Sequence, residues 1–324
     1  MYAVRYHEAG GPEVLQYESI DRPEPEHGDV LVDIEAAAVN PVDAKIRAGS
    51  DPKSPKTTGS DLAGVVTEVG DGVTEFETGD RVFATGLHTG RFTGGSFAEM
   101  ATVPTDLLAH LPDAVSFEDG AAVALVGVTA WRALVDHADV TPGETVFIHG
   151  GNGGVGHVAV GLANAMGASV VCTARPEYHE VLGELGAERV IDYTRDDLIE
   201  LAQEATGGAD AVLDHMPDEY IEADVDIAGL GGDIVIIAGG ETTFPATSPA
   251  RSKELDVHMM SMSNLSSHPS MPDIAPILEQ LAELMVDDRL DVAIDRTYSL
   301  EEGAEAHRAV MEESILGKIL VVPE

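Results

Sequence analysis

The sequence predicts an α/β protein in which a β-rich first part precedes a doubly wound parallel sheet. Residues 1–120 hold short apolar or alternating runs punctuated by Gly, Pro and Asp. From Asp119 onward, apolar strand runs alternate with helical stretches. A glycine-rich loop stands at the first strand-to-helix junction of that second region. The chain has 324 residues, of which 44% are hydrophobic, enough for two domains with a substantial interior.

In the first part, stretches 29–34 (DVLVDI) and 64–69 (GVVTEV) read as strands, with turns at Asp71-Gly72 and Gly79-Asp80. In the second, a strand at 145–149 leads into a helix at 154–166. A strand at 168–173 leads into a helix near 177–185, and a short strand at 190–192 into a helix near 196–205. Stretches 209–213 and 233–237 add two more strands. Strands separated by helices imply right-handed crossovers and a parallel sheet. The tail, with helices at 274–285 and 301–311 and a strand at 318–322, breaks the repeat and is expected to return to the first domain.

Charge excludes some partners. Lys and Arg total 18 against 58 Asp and Glu, a formal net charge of −40. Such a chain repels nucleic acid, whose phosphates normally supply the affinity, and an anionic membrane surface as well. No apolar run reaches transmembrane length, and the opening MYAVRYHEAGG has no apolar signal core. The lone Cys172 cannot form an internal disulfide, which suits a reducing cytoplasm. The carboxylates are dispersed and only 5 of the 18 cations are Lys. Both features point to a solvated acidic coat of the kind expected in a salt-accumulating cytoplasm.

The loop His149-Gly150-Gly151-Asn152-Gly153-Gly154-Val155-Gly156 contains G-x-G-x-x-G at Gly151, Gly153 and Gly156, after an apolar strand and before a helix. Small residues let backbone approach a pyrophosphate, and helix N–H groups bind its charge. Asn152, Gly153, Gly154, Val155 and Gly156 are therefore expected to hold a dinucleotide. NAD-binding chains carry an acidic residue about 20 positions past the glycines, on the ribose 2′-hydroxyl. Here that place reads Thr173-Ala174-Arg175. Arg175 offers a forked donor for a 2′-phosphate, which favours NADPH over NADH.

Several further segments carry a family resemblance. They are Asn40-Pro41-Val42-Asp43, Gly59-Ser60-Asp61-Leu62-Ala63-Gly64, Gly79-Asp80-Arg81-Val82, Gly94-Gly95-Ser96-Phe97-Ala98-Glu99, Gly127-Val128-Thr129-Ala130 and Gly317-Lys318-Ile319. Together with the glycine loop, the chain resembles the medium-chain dehydrogenase/reductase superfamily, in particular its zinc-independent NADPH:quinone oxidoreductase (zeta-crystallin-like) branch. The resemblance implies a GroES-like catalytic domain from residues 1–121 and 266–324 and a Rossmann NADPH-binding domain at 122–265. It also implies a cleft for NADPH and a homodimer. It places Asn40 and Thr129 at the nicotinamide end, Lys45 at the acceptor and Tyr193 at the adenosine end, where the spacing already puts Thr173 and Arg175. Asp43 and Asp61 either shape the pocket or serve stability, and the stretch 50–58 offers no acceptor signature.

No metal is expected. Catalytic zinc takes three protein ligands, commonly Cys and His. The alcohol dehydrogenase branch has Gly-His-Glu where this chain has Gly59-Ser60-Asp61, and the single Cys cannot supply a four-cysteine site. His88, His149 and His157 read as structural or solvent-facing, and Cys172 as a core residue. Without a Lewis acid, reduction of an electrophilic acceptor, a quinone or an α,β-unsaturated carbonyl, asks least of the protein. An enoyl-thioester reductase and a non-catalytic NADPH-binding sensor remain as alternatives. The charge itself is testable: melting temperature is expected to rise between about 0.1 M and about 3 M KCl as the Debye length shrinks, and a flat salt profile overturns that expectation.

Overall fold

The computed structural model describes residues 1–49, 51–87, 94–239, 247–263, 268, 271 and 273–323. The chain divides into two compact units. Unit 1 comprises Met1–Val128, Ser263–Asp288 and Val292–Glu324; unit 2 comprises Thr129–Met262 and Arg289–Asp291. His88, Ser50 and the expected boundary at 265/266 lie outside the described residues.

Unit 1 begins with β1 (Tyr2–Tyr6), β2 (Leu15–Ser19), β3 (Asp29–Val39), α1 (Pro41–Gly49), β4 (Lys56–Thr57), β5 (Asp61–Val69), β6 (Arg81–Ala84), β7 (Met100–Pro104), β8 (Leu108–His110) and α2 (Phe117–Trp131). The division between units falls within α2, which continues as a π-helix over Arg132–His137. β3 is the spine: antiparallel to β5, β7 and the C-terminal strand, it is buried along almost its whole length. It runs to Val39, well past the stretch 29–34 that alternation alone marks, because Ala36, Ala37 and Ala38 are fully covered and carry no polar partner to the alternation.

Unit 2 contains β9 (Thr145–Ile148), α3 (Gly154–Met166), β10 (Ser169–Thr173), α4 (His179–Glu184), β11 (Arg189–Ile191), α5 (Leu198–Thr206), β12 (Ala209–Asp214), α6 (Pro217–Ile227), β13 (Ala228–Ile236), α7 (Thr247–Ser252) and β14 (Asp256–Met259). The sheet order is β11-β10-β9-β12-β13-β14 and every pairing is parallel. This is the 3-2-1-4-5-6 order of a Rossmann fold, its direction of growth reversing between β9 and β12. Phe147, Val171, Val212 and Ile234 fill the core from successive strands.

The tail adds α8 (Ile274–Val286), β15 (Ile294–Ser299), α9 (Gly303–Glu312) and β16 (Lys318–Val322). β16 pairs with β3, which closes the order β15-β16-β3-β5-β6-β8 in unit 1. The molecule is thus a GroES-like β-rich unit together with a Rossmann unit. No helix among the described residues is long and apolar enough to cross a membrane.

One cation locks the end of α6. Lys253 Nζ donates to the carbonyls of Val225, Asp226 and Ala228 at 2.8, 2.9 and 2.7 Å, three acceptors that the helix end leaves open. Lys253→Met is expected to lower stability by about 1–3 kcal/mol in chemical denaturation, since carbonyls then lose a charged donor.

Candidate functional site: a glycine-rich dinucleotide loop and a buried polar network

In unit 2 the glycine loop joins β9 to α3, and the C-terminus of β10 braces it. Gly150 N–H donates to Thr173 Oγ1 at 2.9 Å and Gly151 N–H to the Thr173 carbonyl at 2.7 Å. Thr173 is therefore behind the loop, buried, and acts on it by shaping it. A Cβ on Gly156 would stand 2.1 Å from the Gly150 carbonyl oxygen, so only glycine lets the helix start close on the loop. At Gly153 a Cβ would meet only that carbonyl, at 3.4 Å, and its outer side is open. Asn152, Gly153, Gly154 and Val155 are all partly exposed. Tight closure beneath, open backbone above and the N-terminal end of α3 fit a pyrophosphate.

Arg175 lies exposed just after β10, and its Nε donates to Tyr193 Oη, just after β11, at 2.8 Å. This bond fixes the plane of the guanidinium. Thr129 is buried in α2. His157 is also buried, its Nδ1 2.9 Å from the Gly153 carbonyl at the start of α3. Cys172 is fully buried beneath Gly151, and burial pushes its thiol up to about 12, which keeps it protonated and unreactive.

Unit 1 holds a second constellation. Lys318 Nζ, 2% exposed, donates to Asn40 Oδ1 at 2.5 Å and to the Val39 carbonyl at 2.9 Å. Asn40 Nδ2 donates to Asp61 Oδ2 at 2.7 Å, and Thr85 Oγ1 to Asp61 Oδ1 at 2.6 Å. A cation on one side and a carboxylate on the other leave the Asn40 amide one orientation. Asp43, in the first turn of α1, accepts from the Asn40 N–H at 2.9 Å and from the Ser60 hydroxyl. Burial pushes Asp43 up to about 7, against the hydrogen bond from Ser60. Burial also raises Asp61, opposed first by Lys318, and lowers Lys318, opposed by Asp61 and Asp43.

The structure gathers Asn40, Asp43, Ser60 and Asp61 but does not bring Lys45 to them. Two residues along α1 from buried Asp43, Lys45 is turned about 200° away and is exposed. Lys56, with Tyr6, Asp43 and Ile46, lines a small recess in unit 1 instead. Lys318 is the member that sequence reasoning passed over, although a lysine inside the apolar run KILVV of a lysine-poor chain was a signal. Among the described residues, no group of three or more His, Cys, Asp and Glu side chains is placed to hold a metal ion.

The Rossmann order and the glycine loop are those of a dinucleotide-binding domain. Comparison with known proteins sharpens this. A family model described as alcohol dehydrogenase GroES-like domain matches residues 26–113, and one described as zinc-binding dehydrogenase matches residues 185–321. Human quinone oxidoreductase is 32% identical over 330 residues, covering 99% of this chain and 98% of that protein. The structure of Escherichia coli quinone oxidoreductase complexed with NADPH superposes with a TM-score of 0.88 at 28% identity, covering 100% of both chains. An NAD-dependent alcohol dehydrogenase gives a TM-score of 0.89 at 30% identity, with 99% of each chain covered. The chain belongs to the medium-chain dehydrogenase/reductase superfamily, with quinone oxidoreductases among its full-length relatives.

Lys318→Met is expected to cost about 3–5 kcal/mol, because it strands the Asp61 carboxylate in the interior. Lys318→Arg is expected to recover part of that loss. Equal stability of Lys318→Met and the parent chain in urea denaturation overturns the role given to this ammonium.

Proposed function

We propose that the protein is an NADPH-dependent, zinc-independent reductase of quinones or α,β-unsaturated carbonyl compounds. The observation that carries the cofactor choice is the Arg175–Tyr193 pair at the ends of β10 and β11, where an NAD-binding chain would place a carboxylate. The guanidinium, held by the phenol, offers a planar fork to the 2′-phosphate. The open backbone at Gly153 and the start of α3 hold the pyrophosphate, and Thr173 keeps the loop in shape. Bound NADPH supplies the hydride. Asn40 acts from inside its network, as an amide whose orientation Lys318 and Asp61 fix.

Zinc independence rests on the donor set. At the stretch where alcohol dehydrogenases carry a His ligand, Ser60 donates to Asp43, while neighbouring Asp61 is compensated by the Lys318 network. These groups are already paired with one another. An acceptor that is electrophilic in itself suits such a site. A second reading, preference for NADH, is favoured by the similarity to the NAD-dependent alcohol dehydrogenase.

Two measurements decide. Loss of NADPH absorbance is followed with a panel of quinones and enones; turnover on at least one supports the reductase, and tight NADPH binding without turnover on any overturns it in favour of a sensor. Arg175→Ala is expected to weaken NADPH binding about 10-fold or more while leaving NADH nearly unchanged, the loss of one charge-assisted bidentate contact. Equal weakening of both overturns the role of Arg175.

A further inference from the structure

Beneath the glycine loop, unit 2 buries three titratable side chains that phosphate binding leaves without a role. His149 follows β9 and opens the loop, Asp214 ends β12, and Asp224 lies on α6. β9 and β12 are the neighbouring strands where the sheet order reverses, the place beyond whose carboxyl ends such sheets bind ligands. The cluster is tied to the loop itself. His149 N–H donates to the Leu213 carbonyl at 3.1 Å, and the His215 ring occupies the space a Cβ on Gly150 would need.

The hydrogen-bond accounting is incomplete without a proton. His149 Nε2 lies 2.8 Å from Asp224 Oδ1, with both side chains fully buried. Asp214 Oδ1 accepts from Met216 N–H at 2.6 Å. The other carboxyl oxygen of each, Asp214 Oδ2 and Asp224 Oδ2, is buried and receives no donor from the described residues. The two carboxyls stand within hydrogen-bonding reach of each other. Two ionised carboxylates cannot bond, whereas one proton between them satisfies both oxygens.

The surroundings favour that proton. Glu219 and Tyr220 face the cluster from α6, Tyr220 stacking on the His149 ring at 4.1 Å; His215 lies beyond β12 and Tyr193 beyond β11. None of these is an ammonium or guanidinium. The Lys253 ammonium at the end of α6 is engaged by three carbonyls. Burial draws His149 down to about 4, so its imidazole is neutral and donates Nε2–H to Asp224. Burial, and for Asp214 the nearby Asp224, holds the two carboxyls well above the usual range.

We infer that Asp214 and Asp224 share one proton, and that dinucleotide binding at the glycine loop is linked to its retention. The inference rests on the dinucleotide reading of that loop. An anionic ligand beyond the strand ends favours the singly charged cluster over the doubly charged one, and by reciprocity the proton favours the ligand. Because the folded-state affinity for this proton is raised, the contribution is complete at acid pH and is lost as pH rises through the dyad's titration.

The test measures affinity of the full chain for NADH and NADPH from about pH 6 to about pH 9 at constant ionic strength. NADH is the decisive probe, because a 2′-phosphate titrates in the same range. Its affinity is expected to fall about 3–10-fold with rising pH, up to one pKa unit's worth of linkage. Asp224→Asn, isosteric but without the titrating site, is expected to flatten the profile. In the free protein, the infrared band of protonated carboxyls is expected at neutral pH and is expected to lose intensity in Asp224→Asn, with the Asp43 contribution remaining. Should that variant not fold, proton uptake on NADH binding by the parent chain, from calorimetry in two buffers of different ionisation enthalpy, gives the answer, and zero uptake overturns the linkage. NADH binding with a pH-independent affinity overturns the linkage alone. Failure of both dinucleotides to bind at any pH overturns the reading of the loop and the linkage with it.

Discussion

Cations are scarce in this chain, 18 against 58 carboxylates, and the structure places several of them inside. Lys318 neutralises Asp61 and fixes Asn40. Lys253 holds three carbonyls at the end of α6. Arg47, 3% exposed, donates to the Gly10 carbonyl and meets His307 Nδ1 at 2.7 Å. Arg132, also buried, donates to the Ser261 carbonyl. An exposed ion pair contributes little, so a cation withdrawn from the surface gives up little there. At an interior position the same cation saves a buried acceptor from standing alone, which is where its effect on stability is greatest.

That constraint reaches the dinucleotide site. A basic groove is not the only way to hold a phosphate: backbone N–H groups at a helix start carry partial positive charge without any side chain. The start of α3 is such a place, and the glycines of the loop serve the geometry, with Gly156 closing on the Gly150 carbonyl. Arg175, the exposed cation proposed for the 2′-phosphate, is held by Tyr193 rather than by a carboxylate. A carboxylate partner would compete with a phosphate for the guanidinium; a phenol orients it without cancelling its charge.

Much of unit 2 was legible because its signals are local. The helix Gly154–Met166 agrees with the sequence reading at both ends, since the glycine loop marks its start and Gly167, in the left-handed conformation, its end. The glycine loop and the Arg175 position follow from spacing to one strand. Other features left no such trace. α2 (FEDGAAVALVGVTAW) is apolar on nearly every side and shows no amphipathic period. α6 (PDEYIEADVDI) is so rich in acids that its buried residues do not stand out, and Asp224 is itself one of them. Lys318 and Asn40 are 278 positions apart, and His149 and Asp224 are 75 apart. A side chain's partner at that separation is set by topology. That Lys45 stands apart from the Asn40 network has a local cause, because a two-residue step from Asp43 reaches the far face of a helix.

The two units neutralise their buried carboxylates differently. In unit 1 the compensating charge is an ammonium covalently part of β16, so Asp61 keeps a partner wherever lysine stays protonated. Burial lowers the Lys318 pKa, and Asp61 and then Asp43 oppose that fall. Among the described residues of unit 2 no ammonium or guanidinium faces Asp214 and Asp224, and the compensating charge we infer there is a proton. A covalent cation makes a network insensitive to pH, whereas a shared proton makes it a titrating one. In unit 1 a covalently placed cation therefore orients the Asn40 side chain, while Asp43 beside it, raised to about 7, titrates in the neutral range. The floor of the glycine loop changes its charge within that range, and any ligand that is itself an anion must respond to the change.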